Sequence, residues 1–320
     1  MIISASRRTD IPAFYSEWFM NRVRAGFCTV PNPFNREQVS RVSLNCSDVD
    51  VIVFWTRNPA PLIPHLDELD HYQLRYYFQF TIMDNPRSID QKSPPVQIAV
   101  DNFKRLSDKI GPQRVIWRYD PIVFSSQLGS DYHIVRYERI AEQLRGYTGR
   151  SVISVVDRYK KASRRFAALK DQGNEILEYD GSPNPEFDSL MEQLVEIAGA
   201  NHFDIYSCSE TLDLGKYGIK PGKCVDDDYI HRVFGLSITP KKDPSQRKEC
   251  GCVISKDIGM YDTCLFGCQY CYATSSFEAA QKNHDRHDPL SPSIIGWYEV
   301  KPNQKIHQES LFGEKFSDKS

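Results

Sequence analysis

Three cysteines, Cys264, Cys268 and Cys271, stand in a C-x3-C-x2-C run with Tyr270 directly before the last of them. Three thiolates from one short loop can reach three corners of an iron–sulfur cubane, which ordinarily takes four. Supplying only three leaves one iron free for a ligand from outside the chain. Gly267 lets the backbone fold tightly beside the sulfurs. The competing reading is zinc, which wants four closed tetrahedral ligands, usually as two pairs at C-x2–4-C spacing. Cys252 would supply the fourth. The observed spacing is not that paired form, and the cluster is the preferred reading.

The chain holds nine cysteines, an odd number, and five of them crowd into Cys250–Cys271. In a reducing compartment such crowding points to metal or redox chemistry rather than disulfides. Cys208, Cys224, Cys250 and Cys252 are left over from the open cluster. They suffice for an auxiliary iron–sulfur cluster or a zinc ion, or they are simply buried thiols, and both readings stand. Cys28 and Cys46 read as packing residues.

A second group of chemistry-bearing residues sits where strands are predicted to end. Ser6-Arg7-Arg8-Thr9-Asp10, Thr56-Arg57-Asn58, Arg118-Tyr119-Asp120, Asp157-Arg158 and Ser207-Cys208-Ser209-Glu210 are polar stretches after apolar runs. Arginine forks suit a carboxylate or phosphate, and acidic groups suit amino or hydroxyl groups. Arg7, Arg8, Asp10, Arg57, Arg118 and Asp120 form the expected pocket set; the alternative is that some pairs merely neutralise one another. Lys160-Lys161-Ala162-Ser163-Arg164-Arg165 is a basic run, read as a solvated helix face in preference to a nucleic-acid contact. His284 and His287 read as surface histidines hydrogen-bonded to Asp285 and Asp288.

These residues need a scaffold that turns strand ends toward one another. Ile2–Ser6, Val49–Trp55, Arg75–Thr81, Arg114–Tyr119, Ser151–Val156, Phe203–Cys208 and Cys252–Lys256 are nearly continuous Val/Ile/aromatic runs, as strands covered on both faces should be. Amphipathic segments alternate with them: one with Pro12 early and Gly26 as a stop, one from Val96 to Ile110, one around Ile134–Leu144, and one around Phe187–Ala198. More than six strand–helix units predict an α/β TIM-like barrel, in which chemistry gathers at the strands' C-terminal ends. Residues 1–296 are expected as one barrel domain, with the cluster loop at 250–273 and a polar tail at 297–320. Asp84–Pro95 is a long Pro- and Ser-containing loop, read as a lid.

Net charge is −2, from 40 basic and 42 acidic side chains, which argues against a chain-wide grip on a polyanion. Hydrophobic residues make up 40% of the chain and charged residues 26%, the balance of a packed domain. No apolar run approaches the roughly 20 residues that cross a bilayer, and Arg7-Arg8 lies on the wrong side of a short apolar stretch for a signal peptide, so a cytoplasmic protein without membrane partners is expected.

Cys264, Cys268, Tyr270 and Cys271 resemble the cluster loop of the radical S-adenosylmethionine superfamily, and the Tyr270-Cys271-Tyr272-Ala273 ending is similar to that of spore photoproduct lyase and its relatives. The resemblance implies a [4Fe-4S] cluster whose open iron chelates S-adenosylmethionine. It also implies a small reductant protein as electron donor and a 5′-deoxyadenosyl radical acting on a substrate the sequence does not reveal. Nucleic acid as that substrate is the less favoured analogy. Nearly the whole chain also resembles a prokaryotic family, domain-of-unknown-function family 1848. The resemblance is carried by Ser4–Pro12, Phe54–Pro59, Arg118–Pro121, the cysteine segment and His287–Pro292. In the superfamily the cysteine loop follows the first strand, whereas here it comes late. A circular permutation, with Cys252–Lys256 as the last strand beside the first and a last helix over Thr274–His284, reconciles the two.

Overall fold

The computed structural model describes residues 1–300; most of the tail expected at 297–320 lies outside that span. Seven strands carry the apolar runs read from the sequence: β1 (Ile2–Ala5), β4 (Val51–Thr56), β5 (Tyr76–Thr81), β6 (Val115–Ile122), β7 (Arg150–Val155), β8 (Asp204–Cys208) and β10 (Lys256–Asp257). Three more were not expected: a hairpin of β2 (Phe27–Pro31) and β3 (Val39–Ser43), and the short β9 (Lys220–Gly222). The final strand is a correction in extent, since of the expected Cys252–Lys256 only Lys256 belongs to the strand paired with β1, while Val253 makes an isolated bridge to Lys242.

Eight strands form one sheet in the order β10-β1-β4-β5-β6-β7-β8-β9, and every pairing in it is parallel. Parallel neighbours need crossovers, and helices supply those from β1 through to β8. The helices are α1 (Ile11–Phe14), α2 (Ser16–Ala25), α3 (Leu66–His71), α4 (Val96–Ile110), α5 (Ser130–Leu144), α6 (Ser163–Asp171), α7 (Pro185–Ala200), α8 (Asp227–Phe234) and α9 (Phe277–Asp285). The segment containing Pro12 divides at Tyr15 into α1 and α2, and α2 ends at Gly26 as expected. The last helix begins at Phe277, capped by the Ser276 hydroxyl, rather than at Thr274.

Alternate residues of each strand point to opposite faces. Ile3, Ile52, Phe54, Phe78, Trp117 and Ile153 pack with helix residues such as Trp18, Phe103, Tyr137 and Leu190 in the main core. Ile2, Val51, Val53, Tyr77, Ile116 and Val152 face the other way, onto Cys224, Val225, Tyr229, Cys250, Cys252 and Val253. The two outermost strands, β9 and β10, are not paired with each other. The chain leaving β9 and the chain entering β10 do meet, because the Val253 N–H donates to the Val225 carbonyl at 3.1 Å.

The late cysteine loop follows β10, and β10 lies beside β1 with Ile3 opposite Lys256 and Ser4 opposite Asp257. Asp257 sews the two strand ends together. Its carboxylate accepts from the Ser4 and Ser6 hydroxyls at 2.8 Å and from the Arg7 and Gly259 backbone at 2.9 Å. Gly259 permits this approach, since a Cβ there would fall 1.9 Å from Ser6 Oγ.

Candidate metal centre

At the C-terminal ends of the strands lies a cavity of about 500 Å³. Its lining includes Cys264, Cys268 and Cys271, the leftover Cys208, Cys224, Cys250 and Cys252, and the whole expected pocket set, Arg7, Arg8, Asp10, Arg57, Arg118 and Asp120, with Tyr270. Residues distant in sequence thus reach one place because parallel strands all end on the same side. Arg158 and Glu210 are not in that lining: Arg158 pairs with Glu178, and Glu210 accepts from the Val155 N–H.

The cysteine loop is held by the chain around it. The Cys271 N–H donates to the Cys268 carbonyl at 3.1 Å, closing a turn between two of the thiols. Gly267 has φ +69°, the left-handed conformation that the tight fold requires. Asp84–Pro95, expected as a lid, is a bracket: Asp90 bridges to Cys268, the Lys92 N–H donates to the Phe266 carbonyl, and the Gln269 N–H donates to the Ile89 carbonyl. Beneath the loop, the Phe266 ring packs 4.7 Å from that of Phe14.

Tyr270 is bound by neighbours rather than free. Its hydroxyl donates to Asp90 Oδ1 at 2.9 Å and accepts from Arg57, whose guanidinium also reaches Asp90 and Ser93. Arg118 and Asp120 form an ion pair at 2.7 Å. Asp10 is the N-cap of α1, accepting from the Ala13 N–H at 2.9 Å and the Arg57 N–H at 2.7 Å. Burial pushes its carboxyl up to about 7, although those hydrogen bonds pull the other way. Arg7 differs from all of these. Its Nη2 is buried without a hydrogen-bond partner, its Nη1 makes one long contact of 3.4 Å to Ser255, and its guanidinium lies 5.0 Å from the Trp55 ring. Thr9 and Ser209, also in the lining, have unpartnered hydroxyls.

The three thiols are not gathered as closely as the sulfurs around one tetrahedral ion. Burial pushes the Cys264 and Cys268 thiols up, and each feels the charge of the Cys271 sulfur. Among the described residues, the triad of potential ligands with all donor atoms within 4.8 Å of one another is Asp226, Asp227 and Asp228, not the cysteine trio. Zn–S bonds of about 2.3 Å set tetrahedral sulfurs about 3.8 Å apart, whereas a cubane gives each thiolate its own iron and spreads them wider. The aspartates are already engaged, Asp226 with Arg150 and as the cap of α8, Asp227 with Lys223.

A family model described as Domain of unknown function (DUF1848) matches residues 2–273. The chain belongs to the DUF1848 family. The matched span runs from β1 to the end of the cysteine loop and includes every residue of the cavity lining. No curated protein and no solved structure matches the DUF1848 chain.

Sequence reasoning missed one residue that holds the loop in this DUF1848 chain. Arg165, in the basic run read as solvated, donates to the Gln269 carbonyl at 2.7 Å, to the Thr274 carbonyl at 2.9 Å and to the Cys271 carbonyl. Lys160 and Arg164 are exposed, as expected. His284 faces Tyr15 Oη at 3.4 Å and His287 the Ile294 carbonyl at 2.6 Å, in place of the expected aspartates. Cys28 is buried, but Cys46 is exposed and packs nothing, which corrects its reading. No helix among the described residues is long and apolar enough to cross a membrane.

Proposed function

We propose that this chain is a radical S-adenosylmethionine enzyme on a permuted TIM-like barrel, with Cys264, Cys268 and Cys271 holding a [4Fe-4S] cluster. The observation that carries the reading is the parallel pairing of β10 with β1. It gives the late cysteine loop the neighbours that a loop after a first strand would have. It also supports treating the Val225–Val253 hydrogen bond as the seam of a closed barrel.

A cluster held by Cys264, Cys268 and Cys271 would supply one-electron reduction, passing an electron from a reductant protein to the sulfonium so that its 5′ carbon–sulfur bond would break into methionine and a 5′-deoxyadenosyl radical able to take hydrogen from substrate. The chain's own residues bind and orient. Arg7, with an unpartnered donor in the cavity, is assigned to the cofactor carboxylate; burial makes a charge-assisted bond there stronger than in water. Arg57, Tyr270 and Asp90 hold the cysteine loop against the bracket, and Asp10 ties the end of β4 to α1. Arg8, Arg118 and Asp120 complete the polar wall facing the substrate.

A neighbouring groove of about 540 Å³ shares Arg8, Tyr159, Tyr261 and Tyr272 with the cavity and adds Arg36, Lys160, Lys161 and the fully exposed Phe34. Cations interleaved with aromatic rings favour an anionic substrate, and a nucleic acid is one such; binding must then weaken as salt rises. Anaerobic purification followed by iron, sulfide and zinc analysis tests the main assignment. Iron and sulfide in equal amounts, with an EPR signal perturbed by S-adenosylmethionine, are expected. Zinc without iron, bound with the fold intact, overturns it.

A further inference from the structure

We propose that Cys208, Cys224, Cys250 and Cys252 hold a second iron–sulfur cluster in the same cavity. The four come from three places: the end of β8, the turn after β9, and the segment entering β10. All four are free thiols and all line the cavity. Cys208 Sγ lies 3.1 Å from Cys224 Sγ. Cys252 Sγ accepts from the backbone N–H of Cys224 at 3.3 Å and of Val225 at 3.4 Å, and Cys224 Sγ accepts from Arg118 Nη1 at 3.0 Å.

Packing alone accounts poorly for this. Buried cysteine behaves as a small apolar residue among apolar neighbours. Here sulfur meets sulfur, and two of the four receive N–H donors, the arrangement that tunes cluster thiolates. The guanidiniums of Arg118 and Arg7 supply positive charge beside sulfurs that a metal would hold as thiolates. The four thiols form a line rather than a tetrahedron: Cys208 and Cys224 touch at 3.1 Å, yet no three of the four sulfurs fall within 4.8 Å of one another, so they are not gathered around the centre of a single ion.

This site uses none of the residues assigned to the first cluster, so the two claims fail separately. Full-length protein and the Cys264→Ala/Cys268→Ala/Cys271→Ala variant are purified anaerobically, reconstituted with iron and sulfide, and assayed for both and for zinc. The expected result is about eight iron and eight sulfide in the parent and about four of each in the variant, the content of two cubanes and one. Adding Cys208→Ala and Cys250→Ala to the variant removes the remainder. A parent holding no more than one cubane's iron, with that iron lost in the trio variant, overturns the proposal. So does one zinc in place of the second cluster, or a Cys208–Cys224 disulfide with no metal. Equal iron in parent and trio variant instead overturns the first assignment and leaves this one standing. If the trio variant fails to fold, a parent count of about eight iron still supports the proposal, and at about four the Cys208→Ala/Cys250→Ala variant with the trio intact decides, unchanged iron overturning it.

Discussion

Among the arginines that line the cavity, Arg7 stands out for a buried donor left without a partner. Arg118 is satisfied by Asp120, and Arg57 by Asp90, Ser93 and Tyr270, whereas Arg7 Nη2 has no partner. A buried unpaired donor costs about 1–3 kcal/mol, which a carboxylate ligand would recover. Arg7→Ala keeps the backbone bond to Asp257 and should leave the melting temperature unchanged. Affinity for S-adenosylmethionine, read by equilibrium dialysis of the iron-loaded protein, should fall about 10- to 100-fold, the equivalent of one charged hydrogen bond. Arg165 works from outside the cavity: replacing it with Met strands three loop carbonyls. Arg165→Met is expected to lower unfolding stability by about 2–4 kcal/mol and to reduce bound iron, whereas an unchanged iron content would deny it the clamp role. The cysteine trio was legible as spacing. Arg165 was not, because a Lys/Arg run usually faces water, and only its proximity to a loop about a hundred residues later gives it work.

At the scale of elements, α4 was legible end to end, since Val96–Ile110 repeats apolar residues at three-to-four spacing and stops at Gly111. The β2–β3 hairpin was not: Val39 and Val42 are the only buried residues of β3, and Pro31 closes β2, so neither run looks like a strand. β9 is Lys220-Pro221-Gly222, three residues with no strand propensity, held by its place beside β8. The bracket escaped for a different reason, as Asp90 and Cys268 meet only in three dimensions. The packing of α5 on β6 carries a pH signature. His133 is fully buried, with Nε2 donating to the Val123 carbonyl and Nδ1 accepting from Tyr119, which fixes the neutral tautomer. Burial lowers its pKa from 6.5 to about 4. Unfolded chains therefore take up a proton that folded ones refuse, and its stabilising contribution, complete above pH 6.5, is lost as pH falls toward 4. The loss should approach about 1.4 kcal/mol per pH unit within that window. An NMR titration of the His133 ring with a midpoint near 6.5 would contradict this.

For the whole molecule, the parallel sheet with strands covered on both faces was predictable from near-continuous apolar runs. The meeting of β10 with β1 depended on arguing where a late cysteine loop would have to sit. Two cysteine groups, drawn from both ends of the sheet order, line one cavity, so under the proposed assignment metal loading belongs to the whole fold rather than to one loop. Removing the metal should therefore loosen residues far apart in sequence. Hydrogen exchange of apo against iron-loaded protein is expected to rise together in Met260–Ser275, Asp84–Pro95, the first turn of α6 and the segment entering β10, while α4, α5 and α7 stay protected. Exchange rising only in Met260–Ser275 would mean that the bracket and clamp do not depend on the centre. The most direct measurement is the release of 5′-deoxyadenosine from S-adenosylmethionine by reduced, anaerobically reconstituted protein. The proposed function predicts release from the parent and none from Cys268→Ala. A fully loaded cluster that releases none under any reductant would contradict it.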